Sequence, residues 1–231
     1  MLTNVNRVLE RVEGVIFDLD GTILDTMEQW NMLGMSFLQK YNITPEPSLL
    51  NIIDTMSLNE SAQFFHDEFK MDISVPQIID ELEGRLRSLY SCEVKLKEGA
   101  FETLQLLKSA NIKVALATAT SAELAQLGLK TTGTMQFFDG IFSCRDPQIR
   151  EGKTSPKIFN YVKKFLGTNL EETVVVEDAL YALETAEKVG FYTIAIEDSS
   201  ECVYKDQIKK IANVYVENHF ELFQWFREKL N

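Results

Sequence analysis

The run Val15–Ile16–Phe17–Asp18–Leu19–Asp20–Gly21–Thr22 constrains this chain more than any other stretch. An apolar segment ends abruptly in two carboxylates spaced i, i+2, followed by Gly and Thr. Residues i and i+2 of a strand point to the same side. Two like charges on one face are costly unless a cation or a shared proton relieves them. The run therefore reads as a buried strand that delivers two carboxylates to its C-terminal end, where open parallel sheets bind ligands. A strand followed by an ordinary Asp-Gly turn is the simpler alternative, but it leaves the paired acids after an apolar run unexplained.

The same rhythm recurs. Strand patterns cover Val15 to Phe17, Lys113 to Ala117, Gly140 to Ser143, Thr173 to Val176, Tyr192 to Ile196 and Val214 to Val216. Helical patterns lie between them, at Gly99 to Ala110, Ser121 to Lys130, Ser155 to Leu166, Ala179 to Val189, Ser200 to Ile211 and Asn218 to Leu230. Near-continuous apolar strands separated by helices predict an α/β fold with a doubly wound parallel sheet covered on both faces. The segment from Met27 to Glu93 breaks the alternation. Its apolar positions, among them Trp30, Leu33 and Phe37, then Ala62, Phe65 and Phe69, then Ile78, Leu82 and Leu86, fall at helical spacing. Pro45, Pro47 and Pro76 divide it, which predicts an all-helical insertion of three to five helices.

Two further strand ends and one loop carry chemistry. Thr118 closes a strand just before a helix, where its hydroxyl and the adjacent backbone N–H groups can bind phosphate; taken alone, the segment favours the plainer reading of Thr120 or Ser121 as an N-cap. Lys153 sits in the loop before Pro156, either as a solvated side chain or as a fixed cation that neutralises phosphate and carboxylate. Glu177 and Asp178 follow a β-branched run and repeat the opening theme. Hard oxygen ligands converging from two strands suit Mg²⁺, whereas Asp178 as a helix cap is the simpler reading.

Composition sets limits. The net charge of −12 argues against nucleic acid, which needs clustered Lys and Arg, and against an anionic membrane surface as a partner. Cys92, Cys144 and Cys202 are odd in number and far apart, which fits a reducing, cytoplasmic setting better than a disulfide framework or a zinc site. No apolar run reaches transmembrane length. His66 and His219 have no sequence partners and read as ordinary surface or helix residues.

Taken in order, Asp18-x-Asp20-Gly21-Thr22, Thr118, Lys153 before x-x-Pro156, and Glu177-Asp178 resemble the four motifs of the haloacid dehalogenase (HAD) superfamily over essentially the whole chain. The resemblance implies a Rossmann-like core from residues 1–26 and 94–231, with a helical cap over 27–93. It implies that Asp18 is the nucleophile, forming an aspartyl-phosphate, and that Asp20 is the general acid and base. Thr118 and Ala119 would contact the phosphoryl group, and Lys153 would pair with Asp18 and the phosphate. Asp18, the Asp20 backbone carbonyl and Asp178 would hold Mg²⁺, assisted by Glu177. Asp20 separates the chain from the dehalogenating and phosphonate-cleaving branches, which lack that acid. The β-phosphoglucomutase branch shares Asp25-Thr26 and a Met-Ser turn like Met56-Ser57. It has a His where Trp30 stands and an Arg where Leu58 stands, so hydrolysis is favoured over a mutase; a non-catalytic binding protein would have lost a motif residue. The expected substrate is a small sugar or polyol phosphate, with Trp30, Met56 and Asn59 as the cap residues facing it. The expected state is a monomer or weak homodimer.

Overall fold

The computed structural model describes residues 9, 11–46, 56 and 58–230. Six strands form one parallel sheet: β1 Gly14–Phe17, β2 Lys113–Thr118, β3 Gly140–Ser143, β4 Thr173–Glu177, β5 Tyr192–Ile196 and β6 Val214–Val216, in the order β3-β2-β1-β4-β5-β6. The protein thus has the α/β, Rossmann-like doubly wound architecture that the alternating pattern predicts. β1 is central because every one of its residues is apolar or Gly and buried on both faces. It pairs Phe17 with Leu116 of β2 and with Val176 of β4. The strand order reverses beside β1, so the C-terminal ends of β1, β2 and β4 meet where such sheets hold ligands.

Helices α4 Ala100–Ser109, α5 Ala122–Thr131, α6 Lys157–Leu166, α7 Leu180–Val189, α8 Lys205–Ile211 and α9 His219–Leu230 cover the sheet. On one face Ile158, Phe159, Val162 and Leu166 of α6 pack with Ala182 and Ala186 of α7 against Ile16, Ala115 and Val175. The helix predicted over Ser200 to Ile211 is split, with a 3₁₀ segment at Ser199–Tyr204 before α8. Asp198 causes the split: one carboxylate oxygen accepts from both the Ser200 N–H and its hydroxyl, which favours the tighter turn.

The chain divides into two compact units, Met1–Asp25 with Val94–Asn231, and Thr26–Glu93. The second unit contains α1 Met27–Lys40, α2 Leu58–Glu68 and α3 Val75–Ser88, then a π-helical turn at Leu89–Glu93. The apolar spacing read from the sequence is what it buries: Phe37 stacks on Phe65 at 5.6 Å, and Ile78, Leu82 and Leu86 line the inner face of α3. Ser74 and Gln77 form a capping box at the start of α3. Trp30 gives its indole N–H to the Tyr90 hydroxyl at 3.0 Å.

Of the surface and helix alternatives for His219, the helix holds: it is the first residue of α9, and it is wholly buried. Its Nε2 lies 2.7 Å from the Thr22 carbonyl oxygen, a partner 197 residues away that no local pattern reveals. His66, by contrast, is half-buried beside the exposed Asp67.

Burial pushes the His219 imidazole down to about 4, against about 6.5 in an unfolded chain. The neutral ring therefore contributes stability that is complete above the unfolded value and is lost as pH falls through this window. Between pH 6.5 and 4 the wild type should lose up to about 3 kcal/mol more unfolding free energy than a His219→Leu variant. Urea titrations of both proteins at each pH measure this; parallel curves would contradict it. In the opposite layer, Phe159→Ala should cost about 3–5 kcal/mol because the ring is fully buried against Phe191, read as a lowered urea midpoint.

Candidate active site

Three strand ends build the site. Asp18 follows β1 directly, and its N–H still donates to the Val176 carbonyl at 3.0 Å, carrying the ladder one residue past the strand. That bond holds Asp18 beside the end of β4, where Glu177 and Asp178 emerge. The chain then reverses: Ile23 and Leu24 both donate to the Leu19 carbonyl, and Gly21 adopts φ +84°, a conformation that side chains resist. The turn places Thr22 under the site, where its hydroxyl donates to Asp178 Oδ1 at 2.9 Å.

Lys153 is the centre of charge. It is 4% exposed, and its ammonium donates to Asp18 Oδ1 and to Glu177 Oε1. Glu177 is also committed at its other oxygen, which accepts from the N–H groups of Asp178 (3.0 Å) and Ala179 (3.1 Å) at the entrance to α7. Glu177 thus ties the lysine to the start of a helix. Asp18, Glu177 and Asp178 each offer a carboxylate oxygen within 4.8 Å of the others, all buried.

Electrostatics follow from this crowding. Burial first, then the neighbouring carboxylates Glu177 and Asp20, hold Asp18 above the ordinary carboxylate range, with Lys153 opposing them. Asp178 is raised by burial, Glu177 and Asp18, with the Thr22 hydroxyl opposing. Burial works against the Lys153 charge, but Asp18 and Glu177 outweigh it and hold the ammonium charged. One ammonium faces a cluster of three carboxylates and pairs with two of them, Asp18 and Glu177, so the cluster gains from a further cation. Both Glu177 oxygens accept from protein donors, which leaves Asp18 and Asp178 as the stronger candidates to ligate it. Hard carboxylate oxygens match the preference of Mg²⁺, so the donor set fits the expected ion.

The remaining sequence candidates fall as follows. Thr118 is buried at the end of β2; its hydroxyl accepts from the Thr120 N–H at 3.0 Å and retains its own proton to donate. Ala119 is exposed beside it. Asp20 is half-buried, and its Oδ2 accepts from the Thr120 hydroxyl at 2.7 Å, outside the three-carboxylate cluster. Thr120 had only a capping role in the sequence reading; it holds a carboxylate 100 residues away instead. Thr120 is itself fixed by its carbonyl, which accepts from the Ser143 hydroxyl at 2.7 Å. The cap of α5 falls to Ser121. In the helical unit, Trp30 and Met56 are half-buried and Asn59 is exposed; Ser57 lies outside the described residues.

A family model described as haloacid dehalogenase-like hydrolase matches residues 15–196. The chain belongs to that family. It is 29% identical over 206 residues to "(DL)-glycerol-3-phosphatase 1, mitochondrial" of Arabidopsis thaliana, covering 84% of this chain and 68% of the relative. It is 26% identical over 187 residues to "Phosphorylated carbohydrates phosphatase" of Thermotoga maritima, covering 79% and 84%. Among solved structures, β-phosphoglucomutase from Clostridium difficile superposes with a TM-score of 0.72 at 23% identity, covering 95% of this chain and 97% of that one. This likeness bears on the fold alone.

Removing the ammonium leaves Asp18 and Glu177 buried against each other. Lys153→Met should destabilise the fold by about 3–5 kcal/mol. Asp18 then prefers its protonated form even more strongly, so the loss should be larger at pH 8 than at pH 5. Thermal or urea unfolding at both pH values tests this, and equal losses would refute the pairing as the cause.

Proposed function

We propose that this protein is a Mg²⁺-dependent phosphatase that hydrolyses a small phosphorylated metabolite, a sugar or polyol phosphate, through an aspartyl-phosphate on Asp18. The observation that carries the reading is Lys153 buried between Asp18 and Glu177, with Asp178 within 4.8 Å, at adjoining strand ends. The names of the curated relatives, both phosphatases of phosphorylated small molecules, support it.

In this reading an Asp18 carboxylate oxygen attacks phosphorus, and the ester P–O bond breaks. Asp20 gives its proton to the leaving oxygen, which departs as an alcohol. Asp20 then takes a proton from water as that water attacks the phosphorus. The acyl–phosphate P–O bond breaks, releasing inorganic phosphate and restoring the Asp18 carboxylate. Bound at Asp18 and Asp178, with the Asp20 carbonyl as a further proposed ligand, Mg²⁺ would supply charge neutralisation for the phosphoryl oxygens. Lys153 neutralises Asp18 and would neutralise the phosphoryl group, to which the Thr118 hydroxyl would donate a hydrogen bond. Positioning and charge are what phosphoryl transfer chiefly requires. Thr120 keeps Asp20 oriented for both proton transfers.

The helical unit is proposed as the cap that selects the leaving group, with Trp30, Met56 and Asn59 as its specificity positions. The Trp30 N–H is given to Tyr90, so Trp30 offers a substrate its ring face.

Asp18→Asn should abolish phosphate release by at least about 10³-fold while leaving the circular dichroism spectrum unchanged. Asp20→Asn should lower turnover by about 10²–10⁴-fold. A phosphate-release screen over sugar phosphates, polyol phosphates, nucleotides and phosphoglycolate, with Mg²⁺ and with chelator, measures both. Retained activity in Asp18→Asn, or activity indifferent to chelation, would sink the proposal.

A further inference from the structure

We infer that His219 is a positioning residue for the carboxylate site, acting through Thr22 on Asp178. Thr22 is the joint. Its backbone carbonyl is 2.7 Å from His219 Nε2, and its hydroxyl donates to Asp178 Oδ1 at 2.9 Å. Both Thr22 and His219 are wholly buried. A carbonyl can only accept, so Nε2 carries the ring proton and donates it. Nδ1 is then a bare acceptor, and it is buried with no hydrogen-bond partner among the described residues.

That orphan is informative. A buried acceptor without a donor is unfavourable, and an apolar side chain of similar size would fill the space without it. The one polar service the ring performs is to hold the Thr22 peptide. The helix that carries the ring is itself braced at this point. The Thr103 hydroxyl hydrogen-bonds the His219 carbonyl at 3.1 Å, and Gly99 lets α9 approach closely. A Cβ at Gly99 would stand 3.1 Å from the His219 Cβ. With its peptide fixed, Thr22 ties up one Asp178 oxygen and leaves the other for a ligand. Groups that orient metal ligands in this way shift metal affinity without touching the metal.

The inference rests on the proposed divalent-cation site at Asp18 and Asp178. The test titrates Mg²⁺ alone into the full chain by calorimetry, and measures kcat and KM separately, for wild type, His219→Gln, His219→Asn, His219→Leu, Thr22→Val and the Thr22→Val/His219→Leu double variant. Glutamine can place an amide N–H near the Nε2 position, whereas asparagine is too short to reach Thr22. His219→Asn, His219→Leu and Thr22→Val should each weaken Mg²⁺ binding by about tenfold and lower kcat with KM nearly unchanged. His219→Gln should stay near wild type. The double variant should be no weaker than Thr22→Val alone, because both act through one joint. Should His219→Leu fail to fold, the glutamine–asparagine pair decides the matter alone. Equal Mg²⁺ affinity in His219→Asn and wild type, or additive losses in the double variant, would overturn the inference while leaving the catalytic proposal standing. Absence of Mg²⁺ binding to the wild type would overturn both.

Discussion

Everything at the strand ends depends on one buried ammonium. Lys153 comes from the loop before α6, yet it satisfies carboxylates at the ends of two different strands. Without it, Asp18 and Glu177 would stand together out of water with no counter-charge, which burial does not tolerate. With it, Asp18 has a counter-charge that opposes the protonation burial favours. The cost of burying Lys153 is offset only because the sheet brings β1 and β4 side by side. Charge and topology therefore support each other: the parallel register places the acids, and the acids fix the lysine.

The sheet could be read from the chain because its strands are buried on both faces and so are nearly continuous apolar runs. Asp18 and Asp20 stood out because two acids after such a run have no packing explanation. Lys153, Glu177 and Asp178 were legible as chemistry only once they were seen at the ends of neighbouring elements. Thr120, Thr22 and His219 were not legible. Threonine before a helix looks the same whether it caps the helix or holds a carboxylate 100 residues away. Histidine without a sequence partner looks the same on a surface as under a loop. Their roles are set by long-range contacts, which local spacing does not encode.

Glu177 shows how a residue type can be recognised and its task still depend on geometry. As a strand-end acid beside Asp178 it has the composition of a metal ligand. In the fold its carboxylate bridges the Lys153 ammonium and the first amides of α7. It joins a fixed cation to the electropositive end of a helix. The two neighbouring acids thus divide the work: one anchors the lysine, and the other faces the cluster.

The order in which the chain is made bears on the site. The helical unit is one unbroken segment, Thr26–Glu93. β1 precedes it, but its partners β2 and β4 follow it. The Lys153–Asp18 contact closes over 135 residues and the Thr22–Asp178 contact over 156. Loop closure of that length is slow compared with helix formation. During synthesis the inserted helices have their own sequence partners at hand, while β1 waits for β2 on one edge and for β4 on the other. The carboxylates therefore remain in water until the last strands that bury them are available. The reactive centre is assembled late, and a truncated chain ending before β4 lacks the lysine clasp's second acid altogether.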